Sequence, residues 1–187
     1  MGQLEKQGKF LSWLLRHDLE SFNKGLIDTE GWREVKEICK DYNFDINTLD
    51  EIVETNNKKR YEYNEDKTKI RARQGHSIPV DITFNEANDI TEENRFLYHG
   101  TTESFIENIK KEGLIPKSRL YVHLSVDEDT AKTVGRRHLK GVYDKLYIIT
   151  IDAWKMKQDG CEIYISNNGV YLAKYVDPKY FFKIKHN

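Results

Sequence analysis

The sequence predicts an α+β protein built from two lobes, and three observations support this. The first half contains short amphipathic segments at helical spacing, followed by a hairpin pattern. The second half alternates strand and helix patterns and includes Asn168-Gly169, a strong hairpin-turn signal. With 187 residues, the chain is long enough for two small lobes that each bury a modest core.

The N-terminal lobe is predicted to span residues 1–84. Leucines recur at helical spacing in 4–17, apolar residues do so again in 32–42, and Asn47 suits the N-cap of a third helix. The segment 60–72 has tyrosines before a polar turn and then an alternating pattern, which indicates a hairpin. Three helices and a hairpin are the plan of a winged helix.

Strict alternation of apolar residues in 78–84 predicts a strand that closes this lobe. The polar run 85–94 is then expected to link it to a second lobe at 95–187. Strands of the second lobe, which should form an antiparallel sheet, are predicted at 96–98, 121–125, 145–152, 162–166 and 170–173.

Two helices are predicted between these strands of the second lobe. The first is closed by Gly113 in the C′ position. The second begins at Ser125, because Glu128 three residues later completes the form of a capping box, and it continues to about Val134.

Composition narrows the function classes. Thirty basic and 31 acidic side chains give a net charge of -1, so any nucleic-acid contact must be local. Cys39 and Cys161 fit neither a disulfide framework nor a zinc-ligand spacing, and no metal is expected. The sequence contains no Rossmann or P-loop motif. It also contains no signal-peptide or membrane-span pattern, so a cytoplasmic protein without membrane contact is expected.

Several polar clusters suit an anionic ligand, since a guanidinium stays protonated and its rigid fork of donors matches phosphate oxygens. The clusters are Arg16-His17, Arg71 with Gln74-Gly75-His76-Ser77, His99-Gly100-Thr101, His123 with Ser125, and Gly135-Arg136-Arg137. Each has a plainer interpretation when it is taken alone. Arg16-His17 could be a cationic helix end, His123 a core histidine and Ser125 a simple N-cap.

Taken in order, the clusters and their neighbours resemble the signatures of the NAD-dependent tRNA/RNA 2′-phosphotransferase family, from Ser12 to about Tyr180. The matching segments are Leu14-Leu15-Arg16-His17, Ile70-Arg71-Ala72-Arg73-Gln74-Gly75-His76-Ser77, Leu97-Tyr98-His99-Gly100-Thr101, Val122-His123-Leu124-Ser125 and Ser166-Asn167-Asn168-Gly169-Val170-Tyr171-Leu172. The resemblance implies a winged-helix RNA lobe and a second lobe of the ADP-ribosyltransferase fold that holds NAD as co-substrate. It also implies that an internal RNA 2′-phosphate passes to NAD, which yields 2′-hydroxyl RNA, nicotinamide and ADP-ribose 1″,2″-cyclic phosphate.

The resemblance also assigns site residues. The catalytic residues, which are expected to clamp the 2′-phosphate, are Arg16, His17, Arg71 and Arg137. The RNA-binding residues are expected to be Arg16, His17 and Arg71 together with Gln74, His76 and Ser77. Those expected at NAD are His99, Gly100, Thr101, His123, Ser125, Gly135, Arg137, Asn168 and Val170. The loop after Arg137 is longer here than in the family pattern, and Arg136 could take the place of Arg137.

Two other functions are compatible with these motifs. An ADP-ribosyltransferase that modifies nucleic-acid phosphate ends would stop at a stable adduct. A winged-helix nucleic-acid-binding module would bind without turnover. The expected partner in the main interpretation is RNA with an internal 2′-phosphate, such as tRNA, and the expected state is a monomer.

Overall fold

The computed structural model describes residues 2–141 and 144–186. These residues form two compact units. Unit 1 contains the chain up to Thr83 together with Ser118–Leu120, and unit 2 contains Phe84–Lys117 and the chain from Tyr121 onward. The short segment Ser118–Leu120 therefore packs with N-terminal residues that are far from it in sequence.

Unit 1 combines helices with a small antiparallel sheet. Its elements are α1 (Gln3–Arg16), α2 (Leu19–Asn23), β1 (Arg33–Glu34), α3 (Val35–Tyr42), α4 (Ile46–Glu54), β2 (Tyr61–Tyr63) and β3 (Lys69–Ala72). The strand order is β1-β3-β2. One face of α1 buries Leu11, Leu14 and Leu15 against the other helices and the sheet, because their helical spacing places all three on that face.

The predicted first helix and the hairpin are confirmed, whereas the helix predicted over 32–42 occupies only Val35–Tyr42, because Arg33–Glu34 form β1. The helix expected to begin at Asn47 begins at Ile46 after Asp45, so Asn47 lies inside its first turn. Helix α2 was not predicted. It begins at Leu19 after the N-cap Asp18, whose side chain accepts a hydrogen bond from the Ser21 backbone nitrogen at 3.0 Å and so satisfies one of the helix's unpaired donors.

The strand predicted at 78–84 is wrong, because this segment has no strand assignment. Ile78 and Val80 are nevertheless buried, and they pack with Ile27 in a small apolar cluster. Alternation here reflects burial of every second side chain without a strand ladder, and Pro79 removes one donor that a ladder would need.

Unit 2 mixes helices with two antiparallel sheets in its described part. Its elements are β4 (Asn85–Glu86), β5 (Phe96–Thr102), α5 (Glu103–Glu112), β6 (Val122–Leu124), α6 (Glu128–Gly135), a 3₁₀ helix (Arg136–His138), β7 (Leu146–Asp152), α7 (Ala153–Gln158), β8 (Ile163–Ile165), β9 (Tyr171–Ala173), a second 3₁₀ helix (Pro178–Tyr180) and β10 (Phe181–His186). The strand orders are β10-β7-β5 and β4-β8-β9-β6. The predicted α+β class with antiparallel sheet is confirmed.

Two features of unit 2 differ from the sequence-based expectation. The run 85–94 belongs to unit 2, because β4 pairs with β8 and the side chains of Ala87 and Ile90 are buried in the core. Ser125 does not cap α6, since the N-cap is Asp127, whose carboxylate accepts from the Thr130 nitrogen at 2.7 Å. Within the described ranges, no helix has the length and apolar character needed to cross a bilayer.

Candidate functional site

Arg16 is a buried cation in the last turn of α1. Its side chain is only 8% exposed, and Nη1 donates to the Ser12 hydroxyl at 3.1 Å. The buried Nε and Nη2 donors have no hydrogen-bond partner among the residues that the structure describes. Burial lowers the pKa of Arg16 to about 10, so the group is still charged at neutral pH. Because buried charged donors without partners are costly, this arrangement points to an anionic ligand.

The loop after β3 packs beside the guanidinium of Arg16 and bonds to its main-chain carbonyl. Gly75 has a φ of +89°, and a Cβ added there would lie 3.7 Å from Cζ, Nε and Nη1 of Arg16. The backbone nitrogens of Ser77 and Ile78 donate to the Arg16 carbonyl at 2.9 and 3.3 Å. Those bonds satisfy a carbonyl that the end of α1 leaves unpaired, so the glycine-containing loop both caps the helix and packs beside its last arginine.

His17 lies beside Arg16 and contacts the same loop. Its Nδ1 is 2.9 Å from the Ser77 hydroxyl. Burial, and then the nearby charges of Arg16 and Arg119, lowers the pKa of the His17 imidazole below its ordinary value of 6.5. The imidazole is therefore neutral at pH 7 in the free protein. An approaching anion opposes the two cationic causes and favours the imidazolium, which donates from both nitrogens.

Arg119 is a basic residue near Arg16 and His17 that the sequence-based assignment missed. Its segment is attached to the loop by a hydrogen bond of 3.1 Å from the Leu120 nitrogen to the His76 carbonyl. Arg119 is exposed, and its charge contributes to lowering the pKa values of both Arg16 and His17. The available signal was a basic residue just before the Val122-His123-Leu124-Ser125 motif, but its sequence separation from Arg16 concealed their proximity.

The proximity of these three groups can be tested through the pKa of His17. Removing either neighbouring positive charge relieves the penalty on the imidazolium, so Arg16→Gln and Arg119→Gln should each raise the His17 pKa. The value should remain below 6.5 because burial is the larger cause. A proton NMR titration, with the His17 signal assigned by its absence in His17→Asn, measures the change. An unchanged pKa in both variants would contradict this arrangement.

Arg71 has a different environment from Arg16. Its Nε donates to Glu62 Oε1 at 2.7 Å and its Nη1 donates to the Glu30 carbonyl at 3.3 Å, while the guanidinium carbon lies 4.2 Å from the centre of the Trp32 ring. These contacts do not join Arg71 to Arg16. Arg16 and His17 thus contact the 74–77 loop, whereas Arg71 contacts Glu62, Glu30 and Trp32.

Within that loop, the predicted RNA-binding residues differ in exposure. Ser77 is exposed and His76 is buried, with 3% of its surface accessible, and Gln74 is half-buried. The backbone carbonyl of His76 holds Leu120, as described above. Ser77 is thus the member of the loop that combines an exposed hydroxyl with a direct contact to His17.

In unit 2, two predicted cofactor motifs lie side by side. Tyr98 and Ser125 exchange backbone hydrogen bonds of 2.9 and 2.8 Å, which places the start of one motif against the end of the other. The His99 Nδ1 is 3.0 Å from the His123 carbonyl, and the His123 Nδ1 is 3.0 Å from the Tyr121 carbonyl. Because a carbonyl only accepts, both imidazoles carry a proton on Nδ1. Adjacent strands therefore bring His99 and His123 together.

Gly100 and Gly135 form a contact between backbones. A Cβ at Gly100 would lie 2.1 Å from the Ala131 carbonyl oxygen, and one at Gly135 would lie 2.6 Å from the Leu146 side chain and 3.0 Å from the Gly100 carbonyl carbon. Helix α6 therefore packs directly on β5, and it fills the space beside Gly100. The requirement for glycine at position 100 arises from this packing. Thr101, the next residue, is also buried.

The remaining predicted residues of unit 2 lie in the 3₁₀ helix after α6 and in the turn between β8 and β9. Arg136 and Arg137 are exposed in the 3₁₀ helix after α6, and neither takes part in an ion pair with a described residue. At the other motif, the Ser166 hydroxyl is 2.8 Å from the Asn168 side chain and 3.0 Å from the Val170 carbonyl, which fixes the turn between β8 and β9. Among the described residues, no group of His, Cys, Asp and Glu is arranged to hold a metal ion.

These contacts define the class of protein: an α+β protein with a buried cationic site suited to phosphate in unit 1 and paired polar strand motifs in unit 2. A comparison with protein-family models matches residues 3–175 to the RNA 2′-phosphotransferase, Tpt1/KptA family. The chain belongs to this family.

Similar proteins carry the same description over nearly their whole length. A probable RNA 2′-phosphotransferase of Flavobacterium johnsoniae is 47% identical over 177 residues, which is 92% of this chain and 92% of that protein. Proteins of the same description from Fusobacterium nucleatum subsp. nucleatum and Trichormus variabilis are 43% and 42% identical over 180 residues each, covering 94% of this chain and 96% and 93% of theirs. The resemblance noted from the motifs is therefore confirmed at the level of the family.

Proposed function

We propose that this protein removes an internal 2′-phosphate from RNA by transferring it to NAD, with 2′-hydroxyl RNA, nicotinamide and ADP-ribose 1″,2″-cyclic phosphate as products. The observation that carries the proposal is the buried guanidinium of Arg16, which has two donors without partners among the described residues. A phosphate provides the charge and the acceptor oxygens that these donors need. Family membership supplies the RNA 2′-phosphate as the particular anion.

The residues of unit 1 would bind and orient the phosphate. Arg16 would donate from Nε and Nη2, and His17, protonated as the dianion approaches, would add a further donor. Arg71 would join them as a further phosphate donor, and Arg119 would supply positive charge from the neighbouring segment. The RNA 2′-phosphate is already an anion, so it needs no general base to attack the anomeric carbon of the NAD ribose. These groups therefore act through positioning and charge stabilisation.

We propose NAD as the co-substrate of unit 2. When bound, it supplies an electrophilic anomeric carbon with nicotinamide as the leaving group. Support comes from the motifs that resemble the family's and from the pairing of His99 with His123, since imidazoles and hydroxyls such as that of Ser125 are suitable partners for ribose hydroxyls. Thr101, Asn168 and the backbone at Gly100, Gly135 and Val170 would shape the same site, and Arg137 would add a positive charge within unit 2.

The fold assignments for the two units belong to the same proposal. Helices α1, α3 and α4 with the β1-β3-β2 sheet support a winged helix for unit 1. The mixed arrangement of unit 2, with its two antiparallel sheets, is compatible with an ADP-ribosyltransferase-like lobe.

The proposal is tested by incubating the protein with a short RNA that carries one internal 2′-phosphate, with and without NAD, and separating the products. We expect 2′-hydroxyl RNA and a cyclic phosphate of ADP-ribose only when NAD is present. Accumulation of ADP-ribosylated RNA would instead support a transferase that stops at the adduct. Binding of the RNA with no product in either reaction would identify a binding module.

A further inference from the structure

Glu62 forms the closest contact of Arg71. The two residues lie directly opposite each other on β2 and β3, and Glu62 Oε1 accepts from Arg71 Nε at 2.7 Å. The other carboxylate oxygen lies 3.2 Å from Arg73 Nε. The three side chains are only 15%, 19% and 22% exposed for Glu62, Arg71 and Arg73, so this is not an ordinary exposed ion pair.

Two further contacts restrict the guanidinium of Arg71. It stacks on the ring of Trp32, with 4.2 Å from Cζ to the ring centre, and Nη1 donates to the Glu30 carbonyl at 3.3 Å. A planar guanidinium held by one edge and one face loses little further freedom when it binds a ligand. The hydrogen bonds to Glu62 and to the Glu30 carbonyl use Nε and Nη1, and neither uses Nη2.

The charge of this cluster is not balanced. One carboxylate faces two guanidinium groups, so Glu62, Arg71 and Arg73 together carry a net positive charge of about one unit. The carboxylate fixes the orientation of Arg71 without cancelling the positive charge of the group. A phosphate can then bind to a guanidinium that is already oriented.

We propose that Glu62 is a positioning residue for Arg71 in recognition of the RNA 2′-phosphate. It holds the Nε edge of the guanidinium while Trp32 supports the face, so that the Nη2 edge is presented to the phosphate. The inference rests on the proposed function, in which Arg71 belongs to the phosphate clamp. The competing explanation is that the Glu62–Arg71 pair only joins β2 to β3.

A double-mutant cycle distinguishes the two explanations. Single-turnover transfer rates are measured for the unmodified protein, Glu62→Gln, Arg71→Lys and the double variant. We expect Glu62→Gln to lower the rate by about 10- to 100-fold, by analogy with the loss of a hydrogen-bonding residue that orients a metal ligand. If Glu62 acts through Arg71, the double variant should be no slower than Arg71→Lys alone. Arg73→Gln is the matched control, and it should stay within about threefold of the unmodified rate because the carboxylate keeps its bond to Arg71.

A binding measurement separates this inference from the proposed reaction. Affinity for adenosine 2′-monophosphate, measured by calorimetry without NAD, should fall in Glu62→Gln and Arg71→Lys by similar factors, and the double variant should lose no more. This readout holds even if the protein makes no cyclic product, in which case only the proposed reaction fails. If Glu62→Gln lowers the unfolding temperature, Glu62→Asp replaces it, since the shorter carboxylate keeps the charge but loses the close bond.

Three results would overturn the inference: rate losses that multiply in the double variant, a Glu62→Gln protein with unchanged rate and affinity, or an Arg73→Gln protein as impaired as Glu62→Gln. The first two would leave Glu62 as a residue that only joins the strands. The third would show that the charge of the cluster matters and the orientation of Arg71 does not.

Discussion

Replacing Arg16 with methionine should abolish most phosphate transfer while leaving unit 1 at least as stable as before. Loss of a preorganised charged donor costs about 10²- to 10³-fold in rate. In the free protein, however, Arg16 is only 8% exposed and its guanidinium has two buried donors without described partners, so burying it lowers the free energy of unfolding. An apolar side chain of similar length removes that cost.

The matched control is Arg33, the other buried arginine of unit 1. It is 1% exposed, and it donates to Asp18 at 3.3 Å and to the Tyr42 hydroxyl at 3.2 Å. Arg33→Met leaves the Asp18 carboxylate without this partner, and we expect a loss of about 3–5 kcal/mol in the free energy of unfolding. Urea denaturation of both variants gives the comparison. Equal destabilisation of the two would show that Arg16 is structural.

The second large effect should come from Gly100→Ala, which we expect to prevent unit 2 from folding stably. The added Cβ would lie 2.1 Å from a backbone oxygen of α6, and a helix backbone cannot move aside as the end of a flexible side chain can. Overpacking of this kind commonly costs about 1–3 kcal/mol, and this clash with backbone should reach or exceed the upper end.

Circular dichroism on heating and denaturant titration would measure the effect of Gly100→Ala. Gly8→Ala is the control, because Gly8 lies within α1 and an added Cβ meets only the Ile52 side chain at 3.7 Å. That variant should stabilise unit 1 by about 0.5–1 kcal/mol. A Gly100→Ala protein with unaltered unfolding would mean that α6 does not pack on β5 in this way.

Periodicity predicted those parts of the fold that packing and local turns determine together. The apolar face of α1 and the Asn168-Gly169 turn follow from side-chain spacing and turn chemistry, and both are present. The strand predicted at 78–84 was wrong because Ile78 and Val80 alternate in burial there without a neighbouring strand to pair with. Periodicity records which side chains are buried, and a strand also requires a hydrogen-bonding partner that a local pattern cannot specify.

The candidate site was predictable as a set of residues and less so as an arrangement. The motifs identified Arg16 and Arg71 together, but their different environments depend on strand register and on contacts with distant segments. Glu62 faces Arg71 only because of the pairing of β2 with β3. Arg119 reaches its position through the bond between Leu120 and His76, which no local pattern indicates.

The loop after β3 is attached to the main-chain carbonyl of Arg16, not to its side chain. These backbone bonds therefore remain after any substitution at position 16 that preserves the helix. At this one residue, the main chain holds the loop and the side chain is free to bind the ligand. A family of variants differing only in the length and charge of that side chain would present different chemistry on one backbone. Selectivity among anions could then be altered at position 16 without redesign of the surrounding loop.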